Sequence, residues 1–188
     1  MVLQINDIQE KQLTTLGQNI TALEVDGVFD DCQDMVKKAF VDKTLTNKMR
    51  LTSANSINVA RWLPQLLYFM FAYKQLKSKY KNIVFSVPSG NFGNICAGMV
   101  AQKLGLPVKR FIASNNANNV VTNYLETKNY HPKVSVQTIS NAMDVGNPSN
   151  FIRIKELHKG NFEDLKKNLS SYSFTDEDTK IGRASCRE

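Results

Sequence analysis

Apolar and polar positions alternate along this chain in short blocks that predict strands and helices in turn. The periodicity predicts helices at 94–104, 120–125 and 150–159 and strands at 82–87, 107–113 and 135–139. Strands and helices that alternate with short connections are typical of a parallel sheet covered by helices on both faces. We therefore predict an α/β fold with three layers and a mainly parallel sheet.

The pattern before residue 80 predicts further elements of the same kind. It predicts strands at 2–5 and 20–25, a helix at 7–16 and an irregular loop at 44–58. A second helix, capped by Asp30 or Asp31, carries apolar residues at helical spacing, and we expect this stripe to face a core: Cys32, Met35, Val36, Ala39 and Phe40. Residues 57–77 predict one long helix that is apolar almost all round, which indicates burial between layers, with Pro64 near its first turns.

The most informative loop follows the predicted strand at 82–87. The sequence Ser-Gly-Asn-Phe-Gly-Asn, residues 89–94, stands between that strand and the next helix. Free backbone N–H groups and the positive end of a helix dipole favour an anion at such a place, and a phosphate fits. We expect Gly90 and Gly93 to allow close approach and the amides of Asn91 and Asn94 to add donors. A simple strand-to-helix turn is the alternative interpretation.

Neither common nucleotide-binding pattern is present in this loop. It lacks both Gly-x-Gly-x-x-Gly and Gly-x-x-x-x-Gly-Lys-Ser/Thr. Together with three other blocks, however, it resembles the threonine synthase family, whose members depend on pyridoxal 5'-phosphate (PLP) and have fold type II, the tryptophan synthase beta-like fold. The other blocks are Ile8–Gly17, Thr52–Asn58 and Ser140–Asn150, in the order that the family has them. The resemblance extends from about residue 2 to about residue 165.

This resemblance implies a function and a set of site residues. The implied reaction converts O-phospho-L-homoserine and water into L-threonine and phosphate. The residues that the resemblance assigns to the cofactor phosphate are Gly90, Asn91, Phe92, Gly93 and Asn94, with Phe92 packed beneath the loop. The residues that it places towards the substrate are Ser53, Asn55, Ser56 and Asn58, and helix capping by Asn55 or Ser56 is the alternative reading of that group.

One expected residue is missing. The Schiff-base lysine of the family lies in a Phe-Lys-Asp motif upstream of the block Ile8–Gly17, and no such motif occurs in this chain. We therefore assign no catalytic residue here and expect the chain by itself to be inactive, a central fragment incomplete at both ends. Other fold-type II enzymes, such as threonine dehydratase or cysteine synthase, and a non-catalytic phosphate-binding module remain alternatives.

Composition narrows the range of partners. A hydrophobic content of 42% and a charged content of 22% describe an ordinary globular protein. The net charge of +7 is dispersed along the sequence, so we expect no nucleic-acid partner, and the longest apolar stretch is too short to span a membrane. Three scattered cysteines and two histidines predict neither a disulfide framework nor a metal site, and we expect a cytoplasmic location. The oligomeric state stays open.

The chain divides into three parts on this interpretation. Residues 1–58 are expected to belong to a smaller, mobile lobe and residues 59–180 to the lobe that binds the PLP phosphate. Residues 181–188, Ile-Gly-Arg-Ala-Ser-Cys-Arg-Glu, read like an in-frame translation of a sequencing adapter. We expect this tail not to be native.

Overall fold

A computed structural model describes residues 7–27 and 29–185. The chain divides into two compact units, Met1–Leu51 and Thr52–Glu188. In the first unit the described helices are α1 (Asp7–Thr14), α2 (Phe29–Val41) and α3 (Lys43–Lys48). In the second unit they are α4 (Val59–Trp62), α5 (Leu66–Leu76), α6 (Gly93–Lys103), α7 (Val120–Thr127), α8 (Phe151–Leu157), α9 (Phe162–Asn168) and α10 (Asp176–Ser185).

The second unit contains a parallel sheet of three strands. These are β1 (Val84–Pro88), β2 (Arg110–Asn115) and β3 (Leu169–Ser173), in the order β1-β2-β3. Val84 is in register with Arg110, and Phe111 with Leu169. Parallel pairing of all three strands confirms the predicted fold class, because each strand is joined to the next through at least one helix.

The core of the second unit lies where α6 and α8 pack, together with the middle strand. Phe111 on β2 is fully buried, and α6 buries Ile95, Cys96 and Met99. Gly98 permits this close packing, since a Cβ atom there would lie 2.6 Å from Cε1 of Phe111. Below the Gly90 loop, the buried ring of Phe92 meets Phe151 edge to face at a centroid distance of 5.6 Å.

The predicted long helix at 57–77 is wrong in two respects. It is divided into α4, a 3₁₀ turn at Leu63–Gln65 and α5, and Pro64 lies in that turn because its ring cannot continue an α-helical hydrogen-bond ladder. Nor is it buried all round, since the exposed fraction is 73% for Tyr68 and 60% for Phe71. Strand β1 is an edge of the sheet, and an apolar groove of about 310 Å³ runs beside it.

Several predictions for the first unit also differ from the structure. Residues 20–25 pair with no strand in the described part of the chain, and α3 occupies part of the predicted loop at 44–58. The stripe on α2 is not a core face, because Met35 is 56% exposed and Val36 and Phe40 are each 36% exposed. The helical spacing was right, but burial needs a packing partner, and the described residues of this unit leave the stripe exposed. The strand predicted at 2–5 lies outside the described residues.

Two differences in the second unit concern strands. Residues 135–139, predicted as a strand, form no ladder, and Val136 is 52% exposed. Strand β3 and helix α9 were not predicted. Within the described ranges, none of the helices is long and apolar enough to cross a membrane.

Candidate active site

The Gly90–Asn94 loop leaves the carboxyl end of β1 and enters α6. The ladder between β1 and β2 continues one residue past the strand, with Ser89 N donating to Ser114 O at 3.0 Å. Beyond that bond, the backbone N–H groups of residues 90–94 have no acceptor in the described part of the chain. They stand at the N-terminus of an 11-residue helix, so the helix dipole adds to their attraction for an anion.

The turn in this loop is made by Phe92 and not by glycine. Phe92 has φ 61° and ψ 13°, a left-handed conformation that is uncommon for any residue except glycine. Its side chain is 1% exposed and packs on Phe151, which holds the strained backbone in place. A left-handed residue followed by helical ones turns successive N–H groups into a concave anion-binding nest.

Gly90 and Gly93 allow other parts of the protein to pack closely against the loop, at the positions where a side chain would otherwise project. A Cβ atom on Gly90 would lie 2.8 Å from Cα of Met143. One on Gly93 would lie 3.3 Å from Nδ2 of Asn150 and 3.5 Å from Cβ of both Ser56 and Trp62. Close approach was expected at both positions, but the atoms that approach on this side belong to the protein.

The two asparagine side chains of the loop are engaged within the protein. Asn94 Nδ2 donates to Pro88 O at 2.8 Å, and Asn94 Oδ1 accepts from Ser89 Oγ at 2.7 Å. Asn91 Nδ2 donates to Ser56 Oγ at 2.9 Å, and Asn91 Oδ1 accepts from Ser149 N at 2.6 Å. These bonds fix the loop and use one of the two N–H donors of each amide, so the backbone N–H groups of the loop remain available together with one side-chain N–H on each asparagine.

The segment Ser53–Asn58 lies against this loop, and Ser56 is the residue that joins them. The segment also bonds to itself: Asn55 N donates to Ser53 Oγ at 3.2 Å, and Asn58 Nδ2 donates to Ser53 O at 3.1 Å. The helix cap expected at Asn55 or Ser56 is instead Asn58, whose Oδ1 accepts from Ala60 N at 3.0 Å. Asn58 is the residue immediately before α4, where the free N–H groups are.

A second polar cluster lies beyond the carboxyl end of β2. Asp144 Oδ1 accepts from Asn116 Nδ2 at 2.7 Å, from Asn118 Nδ2 at 3.1 Å and from Thr138 Oγ1 at 2.8 Å. Asp144 Oδ2 accepts from Thr138 N at 3.0 Å. By fixing Asp144, this cluster also fixes the preceding residue, Met143, whose backbone packs against Gly90.

Sequence reasoning missed most of that cluster. Asn115, Asn116, Asn118 and Asn119 crowd the exit of β2, just as small and amide residues crowd the exit of β1. This similarity between the two strand ends was the sequence signal that could have predicted a second polar cluster. Asn115 is 4% exposed, and it joins neighbouring strands by donating to Ser89 O and accepting from Ser171 Oγ, each at 2.7 Å.

The remaining candidates for chemistry in the described residues are structural. Burial raises the pKa of the Cys96 thiol to about 11, against a smaller opposite effect of Arg153, so the thiol stays protonated and inert at neutral pH. His158 is hydrogen-bonded to Asp164, with Nδ1 of the imidazole 2.7 Å from Oδ2 of the carboxylate. No group of three or more His, Cys, Asp or Glu side chains within 7–27 and 29–185 could hold a metal ion.

Comparisons with known proteins agree on one family. No protein-family model matches the chain. The chain is 50% identical over 177 residues to threonine synthase from Haemophilus influenzae, covering 94% of this chain and 41% of that protein. It superimposes on the crystal structure of threonine synthase from Escherichia coli with a TM-score of 0.87 and 43% identity, covering 96% of this chain and 42% of that one.

A third similar protein is the PLP-bound threonine synthase from Brucella melitensis, with a TM-score of 0.77, 31% identity and coverage of 95% of this chain and 44% of that one. These findings do not favour a threonine dehydratase, a cysteine synthase or a non-catalytic module. By sequence and by fold, the chain belongs to the threonine synthase family and spans about two fifths of the length of the relatives it matches.

Proposed function

We propose that this chain is the part that binds the cofactor phosphate in a PLP-dependent enzyme that converts O-phospho-L-homoserine and water into L-threonine and phosphate. The observation that carries the proposal is the run of backbone N–H groups in residues 90–94 that have no acceptor among the described residues, at the carboxyl edge of a parallel sheet. Ligands of open α/β sheets bind at that edge. The family adds the identity of the anion, since the relative from Brucella melitensis is PLP-bound.

The chemistry of these donors suits the phosphate of PLP. A phosphate monoester dianion has three terminal oxygens, and each accepts more than one hydrogen bond. Gly90, Asn91, Phe92, Gly93 and Asn94 would offer backbone N–H donors in sequence, and the dipole of α6 would add positive potential. Charge-assisted hydrogen bonds of this kind are roughly twice as strong as neutral ones. A basic side chain is therefore not needed in the loop.

The residues of this chain would bind and orient the reactants. Bound PLP supplies an electron sink for bond cleavage at the substrate. The Gly90–Asn94 loop would fix one end of the cofactor. The Ser53–Asn58 segment would lie towards O-phosphohomoserine: Ser53, Asn55 and Asn58 would present hydroxyl and amide groups to it, and Ser56, whose Oγ bonds to Asn55, Asn91 and Asn150, would hold that segment in place. Fixed donors and acceptors lower the entropic cost of reaching the reactive geometry.

Other parts of the proposal concern the complete protein. The lysine that links to the cofactor is not assigned in this chain, so we propose that activity belongs to the whole enzyme and not to these residues alone. We also propose that residues 1–58 contribute to a smaller lobe, residues 59–180 to the lobe that holds the cofactor phosphate, and that the enzyme works in the cytoplasm. Residues 53–58, however, pack within the Thr52–Glu188 unit in this structure.

The test is a product assay on the full-length protein that carries this segment. With PLP and O-phosphohomoserine present, threonine and inorganic phosphate should appear in equal amounts, and omission of PLP from the apoprotein should abolish both. Release of ammonia from threonine, without use of O-phosphohomoserine, would instead identify a dehydratase. Binding of PLP without turnover of any of these substrates would identify a binding module and would contradict the proposal.

A further inference from the structure

Arg153 on α8 holds the backbone of the Ser53–Asn58 segment. Its Nη1 donates to Ser56 O at 3.0 Å, and its Nη2 donates to Ile57 O at 2.7 Å. The guanidinium also lies over the buried ring of Trp62, with Cζ 5.6 Å from the ring centroid. A planar guanidinium fork that reaches two successive carbonyl groups fixes both the position and the direction of that backbone.

Asn150, one helical turn before Arg153, completes the attachment. It is fully buried, its Nδ2 donates to Ser56 Oγ at 3.1 Å, and its Oδ1 accepts from Arg153 Nη1. Ser56 Oγ therefore receives hydrogen bonds from both Asn150 and Asn91. In a site of low dielectric, such a network is stronger and stiffer than its separate bonds.

The same network also contacts the Gly90–Asn94 loop through Ser149, the residue before Asn150. Ser149 donates to Asn91 Oδ1 from its backbone N at 2.6 Å and from its Oγ at 3.0 Å. The start of α8 thus touches the Gly90–Asn94 loop through Ser149 and the Ser53–Asn58 segment through Asn150 and Arg153. Three segments that are far apart in sequence are joined without any contact that uses the free N–H groups of the loop.

We infer that Arg153 is a positioning residue, which keeps the substrate-binding segment at a fixed distance from the cofactor-phosphate loop. This inference rests on the proposed function for the roles of those two segments. Arg153 acts through the carbonyl groups of Ser56 and Ile57, and its guanidinium is directed to protein atoms. Its loss would loosen the Ser53–Asn58 segment, while the Gly90–Asn94 loop keeps its backbone donors, the bonds from Ser149 to Asn91 and the bonds of Asn94 to Ser89 and Pro88.

The experiment compares Arg153→Ala and Arg153→Lys with the parent full-length protein. Arg153→Ala should raise KM for O-phosphohomoserine roughly tenfold or more, because the binding groups lose their fixed geometry. The Kd for PLP, measured by fluorescence titration, should change by less than about twofold, because the loop donors remain. Arg153→Lys should recover part of the loss in KM, since one ammonium reaches only one of the two carbonyl groups.

Amide hydrogen exchange in residues 53–58 tests the inference independently of activity. Exchange should accelerate in Arg153→Ala, less in Arg153→Lys, and not at all in the control Ile152→Ala, whose side chain is 63% exposed on the same helix. Equal loss of PLP affinity and substrate affinity, or unchanged exchange in residues 53–58, would overturn the inference. Because exchange is measured on the free protein, it decides the role of Arg153 even where the parent binds no PLP, a result that would refute the proposed function instead.

Discussion

Nδ1 of His158 lies 2.7 Å from Oδ2 of Asp164, and this contact joins the end of α8 to α9. The imidazole is buried, whereas the carboxylate is partly exposed and also lies 3.7 Å from Lys103 Nζ. The hydrogen bond with His158 is the main cause that lowers the pKa of Asp164, and the nearby Lys103 ammonium acts in the same direction. The pair therefore links stability to pH.

The free energy of unfolding should fall as Asp164 becomes protonated. Its pKa is lower in the folded protein than in the unfolded chain, where a carboxyl group of this type has a pKa of about 3.9. The stabilisation is therefore complete above that value and is lost as pH falls through the lower, folded pKa. Urea unfolding between pH 7 and pH 2.5 should show a smaller acid-induced loss in Asp164→Asn than in the parent. Parallel profiles would contradict this role.

Any side chain larger than hydrogen at position 98 should destabilise the folded protein. A Cβ atom would lie 2.6 Å from Phe111 Cε1 and 2.9 Å from Phe69 Cζ, and both rings are held in the core. Gly98→Ala should reduce the free energy of unfolding by about 1–3 kcal/mol through overpacking, although alanine favours a helix. Leu104→Ala, which changes a side chain that is 70% exposed beyond the end of the same helix, is the control and should cost less than about 1 kcal/mol. Equal costs for the two would show that α6 can move.

The loss of unfolding free energy on replacing Asp144 should depend on how many of its two acceptor oxygens the new side chain keeps. Asp144→Ala would leave the Thr138 N–H without its acceptor and would take one acceptor from each of the buried Asn116 and Asn118 side-chain amides, at a cost of about 1–3 kcal/mol in unfolding free energy. Asp144→Asn keeps one oxygen for Asn116 and Asn118 but presents an amide donor to Thr138 N, so its cost should be intermediate. Urea unfolding measures both variants, and a cost for Asn as large as that for Ala would contradict the assignment of Oδ1 as the main acceptor.

Elements with a strong local pattern were predictable from sequence. Residues 82–87 and 107–113 were placed within a few positions of β1 and β2, because apolar runs between turns define buried strands. Strand β3, Leu-Ser-Ser-Tyr-Ser, has no such run, and its strand character comes from pairing with β2. The converse holds at 135–139, where the alternation exists but the described part of the chain offers no partner strand.

The location of the candidate site was predictable, but the direction of its side chains was not. Glycine and asparagine between a strand and a helix indicated the loop. The contacts of Asn91 depend on Ser56 and Ser149, which lie 35 and 58 residues away. Likewise, the left-handed backbone at Phe92 depends on packing against Phe151 and has no signal in the local sequence. Such long-range contacts arise only once the fold is formed.

The most direct measurement is the Kd for PLP of two variants at one position in the full-length protein. Asn94→Ala and Asn94→Pro both remove the side-chain bonds to Ser89 and Pro88, but only proline also removes a backbone N–H. Position 94 lies in the first turn of α6, where proline is tolerated. A hydrogen bond to a charged group contributes about 1.5–3 kcal/mol, so the proline variant should bind PLP about tenfold or more weakly than the alanine variant. Equal affinities would contradict the assignment of the Gly90–Asn94 backbone to the cofactor phosphate.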